Sequence, residues 1–220
     1  MFKFSYFLEM IPKIFLKLDV TLTLTLISIF FALIIGTLLA VVIYYKVKVL
    51  DKLAYVYISI MRGTPIVAQL YFFYFGVAIY SNVVRDMSPM TAVAIVISLN
   101  VGAFMAESIR AALLSVDEGQ KEAAYSLGMS NMQLVTRIII PQAMRVAIPP
   151  LFNDVINIIK LSSLSFMVGV IDIMGAAKME GAKSFRYFEI YAAVMIVYWV
   201  VIFVFDLLRK YLEKKCAAAF

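Results

Sequence analysis

The chain has 220 residues, 64% of them hydrophobic, and a net charge of +6 from 20 Lys and Arg against 14 Asp and Glu. Soluble domains run at about 45–50% apolar, so this excess excludes an ordinary water-soluble core and fits helices that face lipid. With no His and one Cys, Cys216, an intrachain disulfide, a His-based or Cys-rich metal site and His general-base chemistry are excluded.

A spanning helix needs about 20 mainly apolar residues. Residues 1–19 read as an amphipathic interfacial helix. They hold Glu9 and Pro12 and lack a small-residue cleavage pattern, so no cleavable signal peptide is expected. Five spans follow, at residues 20–45, 64–80, 88–113, 148–170 and 187–208. The second is entered from a helical stretch at 53–61. Pro89 falls in the first turn of the third, where its missing N–H does no harm. No strand alternation is long enough for a barrel. The expected fold is an all-α membrane protein of one domain. It has about five transmembrane helices, the interfacial helix, and short helices in the loop at 115–141. Cys216 is fifth from the end, not fourth, so the prenylation spacing is missed, and residues 216–220 read as an incidental tail.

Five spans place the termini on opposite sides. One side collects Lys46, Lys48, Lys52, Arg62, Lys121, Arg137, Arg145, Arg209, Lys210, Lys214 and Lys215. The other collects Lys3, Lys13, Lys17, Arg85, Lys178, Lys183 and Arg186, with Arg110 and Lys160 at or within spans. The richer side is cytoplasmic by the positive-inside rule, so the N-terminus is expected outside and the C-terminus inside. Charges placed between apolar runs suit lipid headgroups, not nucleic acid.

The loop at 115–141 differs from its surroundings. Ser115 with Glu118, and Ser130 with Gln133, have capping-box spacing. Gly128 stands where a first short helix would end in a left-handed residue, and Pro141 where a second would stop. Two helices joined at a glycine form either a docking element, with Ala123 and Ala124 allowing close approach and Glu122 a specific charge, or a solvated connector with good caps.

Glu122-Ala123-Ala124, then Gly128, then Ile138-Ile139-Ile140-Pro141 resemble the EAA loop of ABC importer permeases. Arg62-Gly63-Thr64-Pro65 with Gln69-Leu70 resembles the signature of the polar amino-acid permease family. Gln142-Ala143, Pro149-Pro150 and Ser163-Leu164 stand where related stretches do. The resemblance covers nearly the whole chain. It implies that Glu122, Ala123, Ala124, Gly128 and Pro141 belong to coupling helices that dock on a cytoplasmic ATPase. It also implies a second permease subunit, identical or related, an extracellular solute-binding protein and an amino-acid substrate, in a bacterial cytoplasmic membrane. The chain is then no enzyme. It lacks the G-x-x-x-x-G-K-[ST] phosphate loop, so ATP and Mg belong to the partner ATPase and no cofactor to this chain.

Ionisable groups in lipid are costly unless they face protein or water. Asn100 and Glu107 share one face of the third span. Asn153, Asn157 and Lys160 share one face of the fourth, and Ser162, Ser163 and Ser165 extend it. With Thr64 and Gln69 these are the substrate-path candidates. Lys160 would hold an amino-acid carboxylate and Glu107 its ammonium. Alternatively Glu107 and Lys160 pair with each other, or with Arg110 and Asp154, as interhelical glue. Permeases of this family often carry an acid directly after the lysine, where this chain has Leu161, which speaks against a basic substrate. Ser162-Ser163-Leu164, Val170-Ile171-Asp172 and Tyr187-Phe188-Glu189 look closest to cystine-type members. Two other classes remain beside the importer: a stand-alone ion-coupled transporter or channel using Glu107 and Lys160, and a membrane-embedded enzyme, which lacks a recognisable catalytic cluster.

Overall fold

A computed structural model describes residues 2–218, with side chains from 2 to 215. The side chains of the 216–220 tail, Cys216 included, lie outside that range. All regular structure among the described residues is helical. Among the described residues, four helices are long and apolar enough to cross a bilayer, and one bent pair has the length and apolar composition of a fifth, broken span or a re-entrant loop.

The amphipathic α1 (Phe4–Phe15) leads into α2 (Leu18–Tyr44). Then come α3 (Leu50–Gly63) and α4 (Ile66–Tyr71), the latter prolonged by a π-helical turn to Gly76 and a 3-10 turn to Ile79. A short α5 (Asn82–Arg85) precedes α6 (Pro89–Leu114). α6 opens on Ser88, whose Oγ accepts from the Thr91 N–H at 3.2 Å, with Pro89 in the first turn as expected.

α6 is the central element. Its most apolar stretch is 67% buried, against 28% for each of the other three long helices. α2 lies close along it through small residues. A Cβ on Gly36 would stand 2.8 Å from Met105 Cβ, and one on Gly102 would stand 2.9 Å from Ile35 Cγ2. Backbones meet this closely in lipid because dispersion contact, not exclusion of water, drives helix association there.

The expected entry of the 64–80 segment from a helical stretch at 53–61 takes the form of α3 and a helix over 66–80, bent by 106°. Pro65 disfavours helical geometry at Thr64, which is extended at φ −120°, ψ 146°. Arg62, counted with the basic side, stands at this bend and reaches Glu107 instead.

The loop after α6 is two helices about a glycine, with two corrections. The first, α7 (Glu118–Ser126), is capped by Asp117, whose Oδ1 accepts from the Gly119 N–H at 2.9 Å. Ser115 instead closes α6 by donating to the Ala112 carbonyl. The second, α8 (Asn131–Leu134), has the expected capping box of Ser130 and Gln133. It does not stop at Pro141. It passes through a π-turn (Val135–Ile139) into α9 (Ile140–Leu161). A proline leaves the carbonyl four residues back without a donor; the wider turn shifts the hydrogen-bond register, so the rod continues past Pro141.

α9 ends in a 3-10 turn to Val168, and α10 (Ile173–Ser184) begins on Asp172. Asp172 Oδ1 accepts from the Gly175 N–H at 2.8 Å, and its Oδ2 from the Tyr198 hydroxyl at 3.3 Å. α11 (Tyr187–Ala218) runs past the expected end at 208. There Arg209 bridges Asp206 and Glu213, and Lys210 pairs with Asp206, a spacing that supports a helix leaving the apolar layer. α1 buries Met10 and Ile14 against Ile173, Ile190 and Ala193. Glu189 Oε1 accepts from the Lys3 main-chain N–H at 3.1 Å and from Arg186 at 2.9 Å.

Candidate functional site

The eight path candidates fall into three groups. Thr64, Gln69 and Asn100 meet at the bend. The last carbonyls of a broken helix have no partner in their own helix. Here Asn100 Nδ2 donates to the Met61 carbonyl at 2.8 Å and Gln69 Nε2 to the same oxygen at 3.0 Å. Gln69 also reaches the Thr64 carbonyl at 3.2 Å and its Oγ1 at 2.7 Å, and its Oε1 accepts from Asn100 at 3.0 Å. Thr64 Oγ1 in turn donates to the Ile60 carbonyl at 2.8 Å. Both Asn100 N–H groups are thus committed inside the protein. These amides close the broken backbone, as apolar surroundings require.

Glu107 forms a second group. Arg110 Nη2 donates to its Oε2 at 2.7 Å, and Arg62 lies 3.8 Å from its Oε1 while covering the Phe104 ring at 5.3 Å. Of the alternative pairings for Glu107, the one with Arg110 forms and the one with Lys160 does not, and Arg62 joins as a second partner. Each arginine comes within reach by a local route, Arg110 as i+3 on the same helix and Arg62 through the bend.

Asn157, Lys160, Ser162 and Ser163 form the third group, on α9 and its 3-10 extension. Asn153, Asn157 and Lys160 are exposed, and Lys160 makes no ion pair among the described residues. Ser163 Oγ donates to the Lys160 carbonyl at 2.7 Å; Ser162 is fully buried and donates to Ile159 at 2.8 Å. Asp154 Oδ2 is buried with no hydrogen-bond partner among the described residues. A stripe of two amides and a free ammonium is unstable against hydrocarbon, so this face requires protein or water beside it.

The loop site lies at the end of the molecule formed by α7 and α8. Gly128 is left-handed at φ 74°, the conformation glycine adopts without strain. Glu122 and Ala123 are exposed, whereas Ala124 is 3% exposed and packs with Val116, Leu134 and Ile139. Ala124 therefore anchors α7 to its own chain, and the open face is formed by Glu122, Ala123, Gly128 and the 80% exposed Leu127. Pro141 is half-buried within the α8–α9 rod. Gln142 donates to Gln120, tying α9 to α7. Lys121 donates to Glu118 at 2.7 Å, which raises the lysine pKa.

Sequence reasoning passed over the role of Asp172, whose signal was an acid three residues before Gly175, and over Gly36 and Gly102, whose signal was small residues on facing helices.

This arrangement agrees with three kinds of comparison. Residues 10–217 match the family described as the binding-protein-dependent transport system inner membrane component. PatM of Vibrio harveyi, named a probable amino-acid ABC transporter permease protein, is 39% identical over 219 residues, covering 100% of this chain and 98% of that one. The L-cystine transport system permease protein TcyL of Bacillus subtilis is 36% identical over 211 residues, covering 94% and 88%. A crystal structure of an amino acid ABC transporter with histidines superposes at a TM-score of 0.89 with 30% identity, covering 98% of this chain and 99% of that one. An inward-facing MetNI methionine ABC transporter reaches 0.80 at 18% identity, over 94% and 98%, and shows the shared fold. The chain belongs to the family of binding-protein-dependent transport system inner membrane components, among its amino-acid ABC transporter permeases.

Proposed function

We propose that this permease carries a polar or sulfur-containing, non-basic amino acid of the cystine kind inward by alternating access, driven by ATP hydrolysis on a separate ATPase. One observation carries the reading: the rigid α7–Gly128–α8 element, with Glu122, Ala123 and Leu127 turned away from the protein and α8 continuous with α9. Movement of a partner on that face would be passed along one rod to the polar stripe of Asn153, Asn157 and Lys160. The stripe supports a second permease subunit facing this one across a wet path, with the Lys160 ammonium available to a substrate carboxylate. Leu161 leaves no acid beside Lys160, which favours a non-basic solute, and cystine permeases stand among the relatives. In this reading the N-terminus is outside, the α7–α8 end is cytoplasmic, and a solute-binding protein docks on the outer face.

The test is uptake by proteoliposomes holding the permease, its ATPase and its binding protein. ATP-dependent cystine uptake is expected, with arginine excluded. Gly128→Ala is expected to lower uptake about tenfold while leaving ATPase turnover, since left-handed geometry costs a non-glycine residue about 1–2 kcal/mol, and Glu122→Gln is expected to lower it by removing the charge on the open face. Uptake that ignores ATP and follows a proton gradient would overturn the proposal.

A further inference from the structure

A cavity on the flank of the α7–α8 end has no part in the transport reading. A crevice of about 370 Å³ lies between α2, α6 and the α8–α9 rod, with an apolar wall that includes Leu33, Val41, Leu113 and Met144. It adjoins a cavity of about 200 Å³ lined by Lys121, Tyr125 and Asn131. Tyr44, Tyr45, Val135 and Ile139 line both. Together they form one slot with an apolar shaft and a polar mouth.

The mouth is positive. Lys121 Nζ sits 5.4 Å from the centre of the Tyr44 ring and is 14% exposed, while its partner Glu118 is 78% exposed. A carboxylate so open to solvent holds its cation weakly and is readily exchanged for another anion. Tyr44 and Tyr45 close the long apolar α2, and aromatic residues at the ends of membrane spans are typical of the interface. The exposed Lys46, Lys48 and Lys52 follow directly.

We propose that the slot holds one anionic phospholipid, its acyl chain in the shaft and its phosphate at Lys121. A soluble anion would leave the shaft empty, and a neutral apolar molecule would leave the ammonium with only its solvent-exposed partner Glu118. A lipid satisfies both. The shaft wall includes the π-turn at Val135–Ile139, so the lipid wedges the joint through which α7 and α8 move α9. The inference rests on the proposed function for the motion of this joint and for which leaflet supplies the lipid; lipid binding itself does not depend on it.

Native mass spectrometry of the detergent-purified complex, titrated with phosphatidylglycerol or phosphatidylcholine, tests it without any transport readout. The wild type is expected to retain one phosphatidylglycerol per permease chain, favoured about fivefold over phosphatidylcholine, as one interfacial lysine predicts. Thr37 of α2 also lines the shaft; Thr37→Phe fills it and is expected to lose the bound lipid, whereas Thr37→Ser keeps it. Lys121→Gln is expected to erase the headgroup preference, and it decides the matter if Thr37→Phe does not fold. Equal retention of both lipids by the wild type, or an unchanged preference in Lys121→Gln, overturns the proposal.

Discussion

Asn100 shows how one side chain can keep a membrane helix broken. Its two N–H groups go to the Met61 carbonyl and to Gln69. Asn100→Leu keeps the number and branching of the side-chain heavy atoms and removes both donors. The Met61 carbonyl keeps its Gln69 donor, but Gln69 Oε1 loses its donor; an orphaned buried acceptor costs about 1–3 kcal/mol, so a loss of up to about that much is expected, read as a lower melting midpoint in detergent. An unchanged midpoint would show that water serves the Gln69 oxygen as well. The sequence marks Asn100 as polar and out of place in an apolar run. Its task is not legible there, because nothing in a helical period reveals that a neighbouring helix ends against it. Glu107 teaches the same lesson in reverse. Arg110 at i+3 is visible on one helix, but Arg62 arrives only because Pro65 stops α3 beside α6.

At the scale of elements, apolar length placed α2 and α6 within a few residues of their bounds, but α9 begins eight residues before the expected 148 and α11 runs ten past the expected 208. The bend escaped it, since hydropathy does not distinguish a straight helix from a broken one of the same composition. Nor did it foresee the π-turn, where a proline that reads as a stop is absorbed within a rod. The α2–α6 seam is where packing is least forgiving. Gly36→Leu would force a side chain into Met105 Cβ and the Gly102 carbonyl, both backbone-anchored. Overpacking of this kind costs about 1–3 kcal/mol or more. The variant is expected to express poorly and melt early, whereas Gly63→Ala, at a site with open space, is expected to leave the midpoint unchanged.

For the whole molecule, the charge asymmetry predicts an orientation that labelling can read. In a Cys216→Ala background, Ser81→Cys precedes the short α5 and Ser130→Cys precedes α8. In intact cells a membrane-impermeant maleimide is expected to label the first and spare the second, and the reverse pattern would invert the proposed topology.

The union of α1 with α11 has a consequence in time. The Lys3–Glu189 hydrogen bond spans 186 residues, close to the full length of the chain. At about 5–20 residues per second of synthesis, α1 waits roughly ten to forty seconds for the surface that covers Met10 and Ile14. During that interval the nascent chain must park its first helix in the membrane interface, and the fold is locked only as its last span leaves the ribosome.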